Sequence, residues 1–256
     1  MNNTFSIQRF GLLLKREWLE FGKIYLISLV VVLGVILAFY GFSLSPVLRE
    51  ETAFDERMLH FREPLFLIFG FMFISVIASN YFAHLGQKPK TIIDLLIPAS
   101  TFEKFLTGIF FTAVLSILSY VLLFYLIDLA FIAKIRSLYK NDGAISYFFE
   151  KNTENQFEAI YWTPFFITSV FLLGSIYFEK FHYIKTAICV MIFSGIWAAI
   201  IVKSAKVLFE GRIPIYQTPY IRQAKDGMEL WVTLLIAALT LIFWALTYVR
   251  IKEKEV

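Results

Sequence analysis

The sequence IYLISLVVVLGVILAFYGF occupies residues 24–42 and contains no Lys, Arg, Asp, Glu or His. Because each residue of an α-helix adds about 1.5 Å, about 20 such residues cross the roughly 30 Å hydrocarbon core of a bilayer. Five more stretches are equally free of these side chains, and they are residues 64–83, 105–127, 162–178, 186–202 and 230–249. The sequence therefore predicts an all-α integral membrane protein with six transmembrane helices in a single domain, 1–256.

The composition supports this class. The chain has 256 residues, of which 59% are hydrophobic and 17% charged, whereas a soluble domain is about half apolar and about a quarter charged. The formal net charge of +4 is too small and too scattered to indicate a nucleic-acid partner. The single cysteine, Cys189, excludes an internal disulfide, and its apolar surroundings predict a buried, unreactive thiol.

Charge near the spans bears on the orientation. Six spans place both termini on one side, and Lys plus Arg number twelve on each side, so the count alone is tied. The segments on the side of the termini are shorter and hence denser in positive charge, which favours cytosolic termini. Basic residues also precede the first span, as in a signal peptide, but its apolar run of 19 residues exceeds the roughly 7 to 15 of such peptides and predicts a retained anchor.

Residues 4–23 combine large apolar side chains with charges. Trp18 and several Phe and Leu residues alternate there with Arg9, Lys15, Arg16 and Lys23. This pattern predicts an amphipathic helix in the plane of the membrane interface, with its basic groups toward anionic lipid. The alternative is an ordinary lead-in to the first span.

The loop between spans two and three holds two helix signals. Thr91 and Asp94 predict the start of a short helix, which Pro98 ends, and Ser100 with Glu103 predicts a capping box for the helix of span three. The short helix carries the apolar residues Ile92, Ile93, Leu95, Leu96 and Ile97. It is too short to cross the membrane and too apolar for water. It either packs beneath its own bundle or inserts into a groove on a cytosolic partner.

A family resemblance begins at this loop. Residues Leu95 to Leu106, LLIPASTFEKFL, resemble the segment "LLPAS…EKF" that precedes the third span in permease subunits of type-2 ABC exporters, particularly bacterial ones. Ile97 departs from the commoner Leu. The resemblance implies an N-terminal interfacial helix, cytosolic termini in a bacterial cytoplasmic (inner) membrane, and a cytosolic coupling helix, about 91–97, that docks on an ABC ATPase subunit. The coupling residues are then Thr91, Ile92, Ile93, Asp94, Leu95, Leu96, Ile97, Pro98, Ser100 and Glu103.

The same resemblance implies a second permease copy, in a homo- or heterodimer with spans one and five near its axis. It also implies a partly re-entrant outer segment before span six, which residues 203–229 match in their mixture of apolar residues with Gly and Pro. Independently, small residues recur at helical spacing in these spans, which allows helices to approach closely. Packing within one copy would give the same pattern. The candidate interface residues are Gly34, Ala38, Gly41, Gly195 and Ala199.

Motifs for chemistry within this chain are missing. The sequence has no Walker phosphate loop and no His-Glu-x-x-His motif, so we expect no enzyme, no cofactor and no metal here, with ATP and Mg²⁺ bound by the partner ATPase. The six spans also lack the charged residues of ion-coupled carriers. The nearest, Asp128, lies 24 residues beyond Lys104 and is expected at the outer surface as a solvated carboxylate.

Two functions remain. The first is the permease subunit of an ATP-driven exporter, whose cargo the lack of charge in the spans suggests to be apolar or amphipathic. The second is a membrane scaffold or assembly factor that recruits a cytosolic protein through the same loop without transport. The hydroxyl side chains within the spans are expected mainly to bond to their own helices or across helices.

Overall fold

Helices account for the regular structure of this protein. The computed structural model describes residues 5–49, 55–83, 97–138, 145–151, 159–209 and 219–254, and these contain no strand. The first helices are α1 (Ile7–Leu48), α2 (Arg62–Tyr81) after a short 3-10 turn at Glu56–Leu59, and α3 (Thr101–Ile109). A π-helical segment, Phe110–Leu115, joins α3 to α4 (Ser116–Leu138). The remaining helices are α5 (Phe148–Lys151), α6 (Ala159–Tyr177), α7 (His182–Phe209) and α8 (Pro219–Lys254).

Every predicted span falls on a helix. Five helical stretches are long and apolar enough to cross a membrane, and they are Ile7–Leu48, Arg57–Tyr81, Thr101–Leu138, His182–Ser204 and Leu230–Lys254. The predicted fourth span corresponds to a shorter apolar helix, Tyr161–Tyr177. The prediction of an all-helical chain is confirmed for the described residues, and the long apolar helices among them suit a multi-pass membrane protein.

The first helix differs from its predicted division. The expected interfacial helix (4–23) and first span (24–42) form one helix of 42 residues, α1, without an interruption at residue 23. The junction contains no proline, and the one proline inside α1, Pro46, lies near its end. Leu13 and Phe21, from the predicted interfacial part, are buried. This arrangement favours the alternative in which residues 4–23 lead directly into the first span.

One end of the bundle holds both the beginning of α1 and the end of α8. The Phe5 and Phe102 rings lie 6.2 Å apart, and the Phe102 and Tyr248 rings 6.4 Å apart, which joins α1, α3 and α8. Ser79 Oγ lies 2.8 Å from His182 Nδ1, which joins the end of α2 to the start of α7 at the same level. We call this the termini end and the opposite one the far end. That the termini end is cytosolic stays a prediction.

Aromatic side chains fill much of the core between α1, α2 and the α3–α4 helix. Tyr25 packs against Phe73 with ring centroids 6.0 Å apart, and Tyr81 stacks on Phe111 at 6.0 Å. On the other side of the bundle, α6 and α7 meet at Gly174, where an added Cβ would lie only 2.9 Å from Cβ of Thr186. This close approach needs a residue without a side chain.

Hydroxyl groups within the spans behave as predicted. Thr107, Thr112 and Ser175 donate to carbonyls of their own helices at 2.6 to 2.8 Å. Ser119 also meets the Tyr25 hydroxyl across helices at 2.5 Å. The hydroxyls are thus satisfied by neighbouring groups inside the bundle, as a bilayer requires.

Two other expectations change. Cys189, expected to be buried, is exposed on α7, because residues 188–200 of that helix are exposed on nearly all sides. Within the predicted re-entrant segment, residues 203–209 continue α7 and residues 219–229 begin α8. Residues 210–218, which would contain its turn, lie outside the described residues.

Candidate coupling site

The structure describes only some of the predicted coupling residues. Thr91, Ile92, Ile93, Asp94, Leu95 and Leu96 lie outside the described residues. Ile97 is half-buried, Pro98 is exposed, and the Ala99 N–H donates to the Ile97 carbonyl at 2.8 Å. Ala83 follows the end of α2 and Ile97 precedes the start of α3, and both of these helix ends lie at the termini end. The described residues on either side of the predicted coupling segment therefore lie at the end that also holds the start of α1 and the end of α8.

The capping box is confirmed. Ser100 has an extended backbone (φ −73°, ψ 151°) and its Oγ accepts from the Glu103 N–H at 3.2 Å. In return, Glu103 Oε2 accepts from the Ser100 N–H at 2.8 Å. The two bonds satisfy donors that a helix leaves without partners in its first turn. They fix the start of α3, whose N-cap, Ser100, lies three residues after Ile97.

Glu103 has a second set of partners on α1. Its Oε1 accepts from the Ser6 N–H at 2.8 Å and from Arg9 Nη2 at 3.1 Å. The Glu103 side chain is fully buried, whereas that of Arg9 is 34% exposed. Ser6 is the N-cap of α1, and its own side chain makes no capping bond among the described residues. One carboxylate therefore lies at the N-terminal ends of two helices, where negative charge is favoured.

These neighbours set the charge state of Glu103, which lies ahead of the apolar span that begins at Phe105. Burial, the largest single influence, raises its pKa, but the N–H groups of Ser100 and Ser6 and the Arg9 guanidinium together hold the pKa below its ordinary value. The side chain is thus an anion at neutral pH. Three helix-end or guanidinium donors compensate this buried charge.

Aromatic contacts of α1 and α3 extend the connection to α8. Phe5 lies 5.8 Å from Phe10 and 6.2 Å from Phe102, measured between ring centroids. Phe105 lies 5.6 Å from Tyr248. Together with the Glu103 bonds, these contacts connect the start of α3 with the start of α1 and the end of α8. We refer to Ser6, Arg9, Ser100 and Glu103 as the Glu103 junction.

The sequence indicated only half of this junction. The Ser100–Glu103 spacing is local and was sufficient to predict the cap. Ser6 and Arg9 lie 97 and 94 residues from Glu103, and no local pattern connects residues so far apart. Arg9 was counted only among the basic residues of the lead-in.

The candidate dimer residues lie on the surface of this chain. Gly34 and Ala38 on α1, and Gly195 and Ala199 on α7, are exposed, and Gly41 is half-buried. A Cβ added at Gly34, Gly41 or Gly195 would have no described atom within 4 Å. These glycines are not used for close packing with the described helices of the same chain. The second copy stays a prediction.

A second polar cluster lies at the far end, and it corrects the expectation for Asp128. This residue is 1% exposed rather than solvated, and its Oδ1 accepts from Arg62 Nη1 at 3.0 Å and from the Tyr40 hydroxyl at 2.9 Å. Its Oδ2 accepts from the Phe148 N–H at 2.9 Å. Asp128 is covered because α4 continues ten residues beyond it to Leu138 and residues 145–151 fold back on the helix.

Arg62 is the charge that balances Asp128. It is 3% exposed, and its guanidinium also donates to the carbonyls of Leu59 and Ser146 at 3.3 Å. A signal for the pair existed in the sequence: Arg62 lies two residues before span two and Asp128 immediately follows span three, so that antiparallel packing brings both to one end. We refer to Tyr40, Arg62, Asp128 and Phe148 as the Asp128 cluster.

Metal ligands are not grouped in the described part of the chain. None of its residues forms a set of three or more His, Cys, Asp or Glu side chains that could hold a metal ion. Of the three histidines, His182 meets Ser79, His60 ends the 3-10 turn, and His84 lies outside the described residues. The two carboxylate sites above are occupied by donors of the protein itself.

Comparison with known proteins adds no relative. A scan of protein-family models, a search of curated proteins and a search of solved structures each found no match to this chain. The evidence for function therefore comes from the residues and their geometry.

Proposed function

We propose that this chain is the transmembrane permease subunit of an ATP-driven exporter, with ATP bound and hydrolysed by a separate ATPase subunit. The support consists of the helical fold with its long apolar helices, the resemblance of Leu95–Leu106 to type-2 ABC permeases, and the attachment of the described part of that segment, from Ile97 on, at the termini end. A scaffold protein would share the first feature. The coupling site is what favours transport.

The observation that carries the proposal is the short connection from Ile97 to the capped start of α3. Only Pro98 and Ala99 separate Ile97 from Ser100, and the Ser100–Glu103 capping box fixes the first turn of α3. Pro98 further restricts the backbone before the helix. If the ATPase subunit displaces the coupling segment, this short connection would transmit most of the displacement to α3.

The cargo that suits these spans is apolar or amphipathic. None of the six apolar stretches contains a charged residue, and the buried ion pair of Arg62 with Asp128 is satisfied by protein groups at the far end. We propose that the active unit contains two permease copies and two ATPase copies in a bacterial cytoplasmic membrane, with the termini end in the cytosol.

Loss of the ATPase tests the coupling segment. The chain carrying Leu95→Asp with Leu96→Asp is purified from its native membrane and compared with the wild type and with Leu12→Asp. Leu12 is an exposed leucine at the same end, so its replacement controls for the added charge. We expect the ATPase subunit to co-purify with the wild type and the control and to be lost from the double variant, which stays inserted. Retention by the double variant would contradict the proposal.

Phosphate release then separates the permease from a scaffold. The purified complex is placed in lipid vesicles, and release of inorganic phosphate from ATP is compared with that of the ATPase subunit alone. A permease should change the turnover of its ATPase, and Leu95→Asp with Leu96→Asp should abolish that change. Equal turnover with and without the membrane subunit would favour the scaffold.

A further inference from the structure

We propose that Glu103 is a positioning residue that makes α1 a second moving helix of the exporter. The inference rests on the proposed function, because it takes the motor displacement to enter through α3. In this arrangement the Glu103 junction moves the start of α1 together with the start of α3. The long helix α1 then carries the movement toward the far end.

The two carboxylate oxygens of Glu103 bind different helices. Oε2 belongs to the cap of its own helix, through Ser100 N–H, and Oε1 belongs to α1, through Ser6 N–H and Arg9. The link to α1 can therefore be weakened without removing the residues that start α3. Since the Glu103 side chain is fully buried, bulk water cannot replace a hydrogen-bond partner that is lost.

The start of α1 has no capping group of its own among the described residues. The first turn of α1 contains no acidic residue, and the Ser6 side chain makes no capping bond among the described residues. A helix start of this kind leaves N–H groups and a partial positive charge to be compensated. Glu103 supplies the anion from another helix. Among the described residues, the start of α1 thus takes its compensating anion from α3.

Helix α1 connects the Glu103 junction with the Asp128 cluster. From Ile7 to Tyr40 the chain is helical, a rise of about 50 Å at 1.5 Å per residue. At the far end, the Tyr40 hydroxyl donates to Asp128 at 2.9 Å. One uninterrupted helix is therefore bound to a buried carboxylate near each of its ends. A shift of its first turn is transmitted by the helix itself.

Site-specific fluorescence on the complete complex tests the inference. In a Cys189→Ala background, an environment-sensitive fluorophore is attached at Leu19→Cys on α1 or at Leu118→Cys on α4, whose side chains are 75% and 63% exposed. The complex with its co-purified ATPase, in lipid vesicles, is measured with and without ATP. We expect an ATP-dependent change at both positions in the otherwise wild-type chain.

Glu103→Gln should then separate the two helices. We expect the ATP-dependent change to persist at Leu118 and to be lost at Leu19, because the amide cannot accept from Arg9 and both helix ends at once. Glu20→Gln is the matched control, since Glu20 lies on α1 in an exposed ion pair with Arg16. It should leave both signals unchanged. A merely structural role of Glu103 would reduce both signals together and would overturn the inference.

The remaining outcomes separate a failure of this inference from a failure of the proposed function. If Leu19 still responds in Glu103→Gln, the inference is wrong while the proposed function stands. If neither position responds to ATP in the wild-type complex, the proposed function fails and the inference falls with it. Should Glu103→Gln fail to insert, Arg9→Gln replaces it, since this change leaves the α3 cap intact. Arg9→Gln should lower the Leu19 signal selectively, and Arg9→Lys should restore it.

Discussion

The ion pair of Arg62 and Asp128 yields a prediction about single side chains. Asp128→Leu leaves a guanidinium that is 3% exposed without its counter-ion, and breaking a buried pair in this way costs about 3–5 kcal/mol. We expect a large fall in the midpoint of thermal unfolding in detergent. The midpoint is measured by size-exclusion chromatography of heated samples. The fall should exceed that of Glu253→Gln by far.

The control and the double variant sharpen this prediction. Glu253 pairs with Arg250 on the surface of α8, with side chains 53% and 44% exposed, and such pairs contribute about 0–1 kcal/mol. Replacing both buried partners, with Arg62→Met and Asp128→Leu, should recover much of the stability, because no charge is then left unpaired. Equal midpoints for Asp128→Leu and Glu253→Gln would show that Asp128 is solvated after all.

Glu103 gives a prediction about pH. Its pKa in the folded protein is lowered from the ordinary value of 4.5, so its contribution to stability is complete above that value and is lost as the pH falls through the lower, folded pKa. Hydrogen exchange of the amides near Ser6, corrected for the intrinsic pH dependence, should stay slow down to pH 4.5 and accelerate only below it. In Glu103→Gln the exchange should be fast throughout. Acceleration already between pH 7 and 5 would contradict the lowered pKa.

Close packing of α6 on α7 leads to a prediction about these two helices. Alanine at position 174 would bring its Cβ within 2.9 Å of Cβ of Thr186, an atom near the backbone that cannot rotate away. We expect Gly174→Ala to destabilise the protein by about 1–3 kcal/mol, as overpacking does, and to lower the thermal midpoint.

Gly11→Ala provides the comparison for Gly174→Ala. Gly11 also lies within a helix, α1, but a Cβ there would meet no described atom within 4 Å. Alanine should therefore be neutral or slightly stabilising at this position, since glycine inside a helix costs about 0.5–1 kcal/mol relative to alanine. If both variants unfolded at the same temperature, the contact between α6 and α7 would be looser than the structure indicates.

Individual helices show how far sequence reasoning reaches. The six spans could be predicted because an apolar run of sufficient length is a property of consecutive residues, as in 24–42. The cap of α3 could be predicted because Ser100 and Glu103 are three residues apart. The π-helical segment Phe110–Leu115 could not, since the residues that surround it, such as Tyr25, which donates to the Leu115 carbonyl at 3.1 Å, come from a distant part of the chain.

The two buried carboxylates mark the limit of prediction for the molecule. Glu103 and Asp128 were both assigned correctly to the ends of span three, but their burial depends on residues that fold over them. Ser6 and Arg9 cover Glu103, and residues 145–148 cover Asp128. A charged residue next to an apolar run reads as solvated until the tertiary neighbours are known.

These carboxylates also define two routes by which movement at the termini end could reach the far end. One route follows α1 from Glu103 to Tyr40 and Asp128. The other follows the α3–α4 helix, on which Glu103 and Asp128 both lie, but it passes through the π-helical segment Phe110–Leu115. A π-helical turn contains an extra residue, is rare and is often found at functional sites. Such a segment can absorb part of a shift, whereas α1 is regular over the same distance.

Hydrogen exchange at the far end distinguishes these routes. The Phe148 N–H donates to Asp128 at 2.9 Å, so exchange in residues 145–149 reports on the Asp128 cluster. In the complex with its ATPase, we expect ATP to alter this exchange in the wild type and in the Glu20→Gln control, and to alter it less in Glu103→Gln, because α1 then no longer adds its movement to that of α4. An ATP effect of full size in Glu103→Gln would show that the movement travels through α3 and α4 alone.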